Sequence, residues 1–296
     1  MAHYDTFRDQ LAIAHPAFGY ALWEPDPGEH NSPVEVGDVG YIRQGRFHRI
    51  FNALLPANHS SHKDLGVPEG HEPLRPRMQD HINRGTLSPN TFYSYGVTVV
   101  SGGLEVIAAE TANSVQDSFS FTRKYGAVLS LPVTSRREDT LVLGHFRKWI
   151  ITHIDSWFAF AQKHRLGIEM EDIILVTGCH RATSWTHVAF NEVHADAQRT
   201  SGPQITGNLG DPANWPVSGQ HSQGTVLRHG PSGENLPENQ CVFVRGYRVA
   251  RTSEILSRVR RVVGPTADPS GGDRGLNTEA VPIPRVTEVR LVFLAS

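Results

Sequence analysis

The feature that most constrains this chain is residues 144–165, where large side chains recur every three or four positions. The stripe consists of Phe146, Trp149, Ile150, His153, Ile154, Trp157, Phe158 and Ala161. This spacing predicts an amphipathic α-helix, and Leu166-Gly167 supplies a stop. Each large side chain gains about 2–3 kcal/mol when fully covered, so the helix needs an apolar surface to pack on. The sequence predicts that this surface is a β-sheet.

Elsewhere, apolar residues tend to alternate with polar ones, which is the pattern of half-buried strands. The clearest alternation lies in residues 92–132, with amphipathic hairpin candidates at 97–108 and 117–131. A short helix is predicted for residues 4–14. Other extended runs occupy residues 19–23, 34–51, 173–177, 185–190 and 241–249. The sequence therefore predicts an α+β fold: a twisted antiparallel sheet with one long aromatic amphipathic helix and a few short helices packed on it.

Composition along the chain predicts its domain organisation. Residues 1–261 are expected to form a single globular α+β domain. Within it, residues 56–90 hold five Pro and four His with few large apolar residues, which indicates a long loop. Residues 262–285 have the composition of a linker, and residues 286–296 are predicted to form a C-terminal strand.

Charge and cysteine content exclude several classes of protein. The chain has 28 Lys plus Arg against 30 Asp plus Glu, so it lacks the basic surface that sequence-independent nucleic-acid binding requires. Its 2 Cys exclude a disulfide scaffold and fit a reducing compartment. No apolar run reaches the length of a membrane-spanning helix. We therefore expect a cytoplasmic protein without a nucleic-acid partner.

One dipeptide, Cys179-His180, offers candidate catalytic residues because a thiol beside an imidazole can be activated as a nucleophile. Adjacent residues of a strand point to opposite faces, however, so a small buried Cys before a turn is the alternative. Phosphate-binding loops and dinucleotide fingerprints are missing from the sequence, so no cofactor is expected. The sequence leaves open whether the chain is an enzyme, and it favours a non-enzymatic protein.

The chain has 16 His, and three of them are candidate metal ligands. His59 and His62 have a three-residue spacing, and His71 follows in the same Pro-rich loop. The alternative is a solvated loop without a metal, because loop residues lack a fixed geometry. If several histidines gain charge below about pH 6, the affinity of the chain for acidic membranes would rise with acidity.

Small basic clusters are candidates for contact with anionic lipid. Their members are Arg123, Lys124, Arg136, Arg137, Arg147 and Lys148. The alternative for each cluster is ordinary solvated surface.

Residues 236–249 read LPENQCVFVRGYRV, a Pro-led turn and a Cys before an apolar strand that ends in Arg-Val. This segment resembles the closing motif of the gasdermin amino-terminal pore-forming domain, and the order of elements over residues 1–250 is similar too. The whole chain also resembles a group of uncharacterised basidiomycete fungal proteins. The gasdermin resemblance implies a non-enzymatic, pore-forming protein of cell death or defence that is recruited to anionic membrane lipid and forms a homo-oligomer.

Two other functions remain open. The first is a soluble protein-interaction module that acts through the Trp149 and Trp157 helix or through the 56–90 loop. The second is a hydrolase or metal-dependent enzyme that uses Cys179 and His180, or the histidines of that loop.

Overall fold

A computed structural model describes residues 1–28, 32–74, 81–101, 116–121, 125–191, 205–208, 224–231, 233, 235–249 and 289–291. The described residues form an α+β fold of two α-helices and antiparallel strands, as predicted. The helices are α1 His3–Ala14 and α2 Leu143–Lys163, with short 3-10 turns at Pro16–Phe18, Ser60–His62 and Met170–Asp172. Neither α-helix in this part of the chain is long and apolar enough to cross a membrane.

The strands form three sheets. Their bounds are β1 Tyr20–Ala21, β2 Asp38–Arg43, β3 Arg46–Asn52, β4 Ile82–Leu87, β5 Asn90–Tyr93, β6 Val97–Ser101, β7 Gln116–Phe121, β8 Tyr125–Leu131, β9 Ser135–Thr140, β10 Ile174–Ala182, β11 Thr186–Asn191, β12 Ile205–Asn208, β13 Thr225–His229, β14 Gln240–Val249 and β15 Val289–Leu291.

The largest sheet, sheet A, has eight strands built around β10 and β14. β14 pairs with one edge of β10, while β2 and then β9 pair with the other edge. β3 extends the sheet beyond β2, β4 extends it beyond β9, and β1 and β15 pair with the outer edge of β14. All these pairings are antiparallel.

The remaining strands form two smaller sheets. Sheet B has the order β13-β11-β8-β5, and sheet C has the order β12-β7-β6. β6 follows β5 along the chain and β7 precedes β8, so the paired strands β5 and β8 continue into the paired strands β6 and β7. The hairpin candidate 117–131 is therefore two strands in two sheets, and its partner candidate 97–108 lies within the described residues only as far as Ser101.

The aromatic stripe of α2 packs inward on sheet A. Phe146, Ile150 and Trp157 are buried, and the Trp157 ring meets Phe51 of β3 with its centroid 5.5 Å away. Trp149 is only partly buried and packs against the same core. Trp157 is therefore used in holding the helix to the sheet, whereas an interaction function through this helix stays a prediction. In a second hydrophobic cluster, α1 buries Phe7 and Leu11 with residues of sheet B.

The structure adds detail to the predicted 56–90 loop and to the predicted C-terminal strand. The 56–90 loop contains a strand, β4, which pairs with β9 from Ile82 opposite Thr140 to Leu87 opposite Ser135, with an Arg84–Glu138 ion pair between the two strands. The predicted 286–296 strand is present in part as β15, which pairs with β14. The predicted linker, residues 262–285, lies outside the described residues.

Candidate functional site

Strand β9 carries four consecutive charged residues, Arg136 to Asp139, between β10 and β4 of sheet A. Successive side chains of a strand point to opposite faces. Arg136 and Glu138 therefore share one face of the sheet, while Arg137 and Asp139 share the other. Each carboxylate forms ion pairs with arginine side chains on its own face of the sheet.

On the first face, Glu138 is the centre of three ion pairs. Its carboxylate lies 2.8 Å from Arg181 of β10, 3.0 Å from Arg136 and 3.2 Å from Arg84 of β4. Glu138 and Arg181 are both buried, whereas Arg136 and Arg84 reach solvent. The carboxylate thus joins β4, β9 and β10 through charge as well as through their backbone hydrogen bonds.

On the opposite face, Asp139 accepts from two arginines. The Nε atoms of Arg245 in β14 and of Arg137 each lie 2.5 Å from an Asp139 oxygen. Arg245 also donates to the carbonyl oxygen of Phe18, 3.0 Å away. A Cβ atom on Gly178 of β10 would lie 2.0 Å from an Asp139 oxygen, so only glycine leaves room for this carboxylate.

The arginine cluster has more positive than negative charge. Five guanidinium groups surround two carboxylates, which leaves an excess of three positive charges. Arg181 and Arg245 are buried, but the side chains of Arg84, Arg136 and Arg137 are 50%, 43% and 48% exposed. Guanidinium groups bind phosphate and carboxylate with several N–H donors at once. Arg84 and Arg136, which share one face of the sheet, can therefore hold an anion from outside the chain, while Arg137 is exposed on the opposite face.

His180 is not placed to act as a base. Its Nδ1 atom accepts a hydrogen bond from Arg245 at 2.9 Å, and its ring packs beside Phe18 and Phe243. Burial, followed by the repulsion of Arg245, lowers its pKa to about 3. The ring therefore serves as a neutral acceptor for Arg245.

Cys179 lies on the other face of β10, as strand alternation predicts for the residue before His180. Its thiol is buried in a small apolar cluster with Cys241 and contacts the carbonyl oxygen of Val34 at 3.4 Å. Burial raises its pKa to about 12, so the thiolate is scarce near neutral pH. Neither candidate catalytic residue has the partner or the ionisation state of a catalytic pair.

The three candidate metal ligands lie close together, but their nitrogens have other roles. Ring centroids are 6.1 Å apart for His59 and His62, and 6.0 Å apart for His62 and His71. His62 Nε2 accepts from the backbone N–H of Asn52, His71 Nε2 lies 2.9 Å from the Leu55 carbonyl oxygen, and His59 Nδ1 accepts from a backbone N–H of its own turn. Within the described ranges, no three His, Cys, Asp or Glu side chains are arranged to hold a metal. His62 and His71 thus contact Asn52 and Phe51 of β3, whereas His59 bonds only within its own turn.

Burial also limits the predicted acid response of the chain. The pKa is lowered for five histidines, mainly by burial: His48, His62, His153, His180 and His187. These five gain charge only at lower pH than free histidine does, so mild acid adds fewer positive charges than the full count of histidines implies.

The six candidate lipid contacts fall into three groups. Arg123 and Lys124 lie outside the described residues. Arg136 and Arg137 belong to the arginine cluster and share its carboxylates. The third group, Arg147 and Lys148, is exposed near the start of α2 and forms no ion pair with any described residue.

Sequence reasoning missed the buried half of the cluster. Arg181 is the one arginine of β10, and Arg245 interrupts the apolar run of β14 that begins at Cys241; these are the signals by which they could have been found. A charge in such a strand needs a partner on a neighbouring strand.

Comparisons with known proteins add little. No family model and no curated protein matches the chain. Among solved structures it is similar to gasdermin A3 in a cryo-electron microscopy structure of the membrane pore, with 12% identity, coverage of 85% of this chain and 92% of that chain, and a TM-score of 0.27. A TM-score this low does not establish a shared fold. None of these comparisons supports the resemblance to basidiomycete proteins.

Proposed function

We propose that this chain is a non-enzymatic, gasdermin-like protein that binds anionic membrane lipid, assembles into a homo-oligomer and forms pores with the β6 and β7 hairpin. The sequence motif at residues 236–249, whose last ten residues form β14, is the basis of the gasdermin-like assignment. The observation that carries the membrane activity is the register of sheet C.

In sheet C, the strand register places apolar residues opposite one another. Val99 is opposite Phe119, which in turn is opposite Ile205, and Val97 is opposite Phe121. The intervening register positions are mostly polar: Thr98, Val100, Ser118, Ser120 and Thr206. Apolar and polar rows therefore alternate from Val97 to Val100, and the alternation ends at the polar row of Ser101, Asp117 and Gly207. Such alternation is the pattern of strands that face lipid on one side and water on the other.

The position of these strands fits insertion. A segment that enters a bilayer must pair its backbone N–H and C=O groups within the protein, and β6 and β7 already pair with each other. They extend from β5 and β8, which sheet B and α1 hold in the core. The hairpin can therefore change its surroundings while its base stays in place.

Anionic lipid is the ligand that suits the charges. The arginine cluster exposes Arg84 and Arg136 on one face of the sheet and Arg137 on the other, and phosphate is a preferred guanidinium partner. The arginine cluster and the β6 and β7 hairpin therefore act in separate steps. The exposed cations bind the lipid surface, and the hairpin enters the bilayer.

Dye release from phosphatidylserine-containing vesicles tests the proposal, with the intact chain and with the chain cut within residues 262–285. The variant Phe119→Asp places a charge in the apolar row and is expected to abolish release while vesicle binding remains. Its matched control, Ser118→Asp, changes the adjacent polar row and is expected to release dye as the wild type does. Absence of release by both forms of the wild-type chain, or equal release by both variants, would refute pore formation.

A further inference from the structure

The N-terminal half of α2 exposes apolar side chains that the core does not use. Leu141, just before the helix, is 65% exposed, and Leu143 and Ile151 are 40% and 39% exposed. The opposite side of the same helix buries Phe146 and Ile150 on sheet A. The packing of α2 on sheet A therefore does not use Leu141, Leu143 or Ile151.

Two cations lie among these apolar residues. Leu143, Arg147 and Ile151 follow one another at intervals of four, which makes them neighbours along the helix surface. Lys148 is adjacent to Arg147, and both are exposed without an ion-pair partner among the described residues. From Leu143 onward, α2 has no acidic residue before Asp155. The exposed surface of the N-terminal half of α2 therefore combines apolar side chains with positive charge.

Folding alone does not explain this combination. The N-terminal end of a helix carries partial positive charge and favours acidic residues in its first turn, and Arg147 and Lys148 follow directly after that turn. α2 has no acidic residue in its first turn and no side-chain cap. Exposed leucines also lose the hydrophobic contribution that burial would provide.

The start of α2 lies near two strands of the arginine cluster. Leu141 donates its backbone N–H to the carbonyl oxygen of His81, directly before β4, and Thr140 of β9 pairs with Ile82. The start of α2 thus lies at the end of the strand pair that carries Arg84 and Arg136.

We infer that Leu141, Leu143, Arg147, Lys148 and Ile151 form a docking face that lies on an anionic bilayer. The apolar side chains enter the boundary between headgroups and acyl chains, while the two cations contact lipid phosphates. Helices bind at membrane interfaces by combining these two contributions. The inference rests on the proposed function and adds the apolar contact, which the basic residues alone do not supply. A bilayer is the favoured occupant because its surface offers both negative charge and an apolar layer.

Co-sedimentation tests the docking face with phosphatidylcholine vesicles that contain about 30 mol% phosphatidylserine. The double variant Leu143→Gln/Ile151→Gln is expected to bind at least tenfold more weakly than wild type at both low and high salt. The double variant Arg147→Gln/Lys148→Gln is expected to lose about fivefold per charge at low salt and much less at high salt.

Matched controls exist elsewhere on the surface. Ile13→Gln removes a similarly exposed apolar side chain from α1, and Lys163→Gln removes a cation from the far end of α2. Both are expected to bind as wild type does, and thermal unfolding checks that every variant is folded.

The outcomes separate the two proposals. Dye release with unchanged binding by the docking-face variants would overturn the docking face and leave pore formation standing. Vesicle binding that depends on these residues, without dye release, would support the docking face and refute pore formation. If the variants instead dissociate a wild-type dimer and leave vesicle binding unchanged, the face is a protein interface and the inference is wrong.

Discussion

Two charged clusters in sheet A, one around Asp38 and the arginine cluster of β9, differ in charge balance. The first only stabilises the fold, whereas the second can also bind a ligand. Asp38 of β2 is fully buried and accepts hydrogen bonds from Arg49 at 2.7 Å, Asn52 at 2.8 Å and the backbone N–H of Glu35 at 2.8 Å. One carboxylate meets one guanidinium there. The arginine cluster of β9 has five guanidinium groups for two carboxylates, and three of them reach solvent.

The balanced cluster stabilises local structure and has no charge left for a ligand. The β9 cluster combines both roles, since its buried arginines hold strands together while its exposed arginines remain able to bind anions. This division into buried and exposed halves can be tested residue by residue.

The largest effect is expected when the buried half loses its carboxylate. Glu138→Gln leaves Arg181 buried without a charged partner, which is expected to lower the free energy of unfolding by about 3–5 kcal/mol. Arg84→Gln removes a half-exposed partner of the same carboxylate and is expected to cost less than about 1 kcal/mol. Urea unfolding of both variants measures the contrast. Equal losses would show that the cluster has no separate buried and exposed halves.

The balanced cluster predicts a pH dependence with a defined sign. Burial raises the pKa of Asp38 to about 6, despite Arg49. Since the unfolded value is about 3.9, the folded chain binds the additional proton between these values. Stability from this group is therefore greatest below about pH 4 and falls as the pH rises through 6, by about 3 kcal/mol.

The comparison with Asp38→Asn isolates this contribution from other titrating groups. His180, whose pKa is lowered to about 3, acts in the opposite direction, because its stability contribution is lost as the pH falls below about 6.5. It titrates in both proteins and cancels in their difference. The wild type should thus lose stability relative to Asp38→Asn between pH 4 and pH 7. A constant difference over this range would contradict a raised pKa at Asp38.

Periodicity predicted the apolar elements of this fold but not the charged ones. The stripe of α2 and the apolar strands β10 and β14 follow from their own sequences, and strand alternation correctly separated Cys179 from His180. β9 was missed because Arg136 to Asp139 has no apolar alternation, and β4 was assigned to a loop. These strands depend on pairing with each other and with β10, and the arginine partners come from β10 and β14. Such contacts depend on register between distant segments, which a single sequence does not reveal.

A smaller and more local effect is expected at Gly178, which tests whether Asp139 needs its close approach to β10. A Cβ atom there would lie 2.0 Å from the Asp139 carboxylate and 2.8 Å from Arg245 Nε, so Gly178→Ala must displace an ion pair and is expected to cost about 1–3 kcal/mol. Gly85 of β4 is the matched control, because a Cβ atom there would meet nothing within 4 Å. Gly85→Ala is expected to change the free energy of unfolding by less than about 0.5 kcal/mol. If the two alanine variants unfold at the same urea concentration, the carboxylate can move without loss, and the geometry around Asp139 does not hold β9 to β10 and β14. A loss confined to Gly178→Ala would instead show that the second face of the cluster is as much a part of the fold as the first.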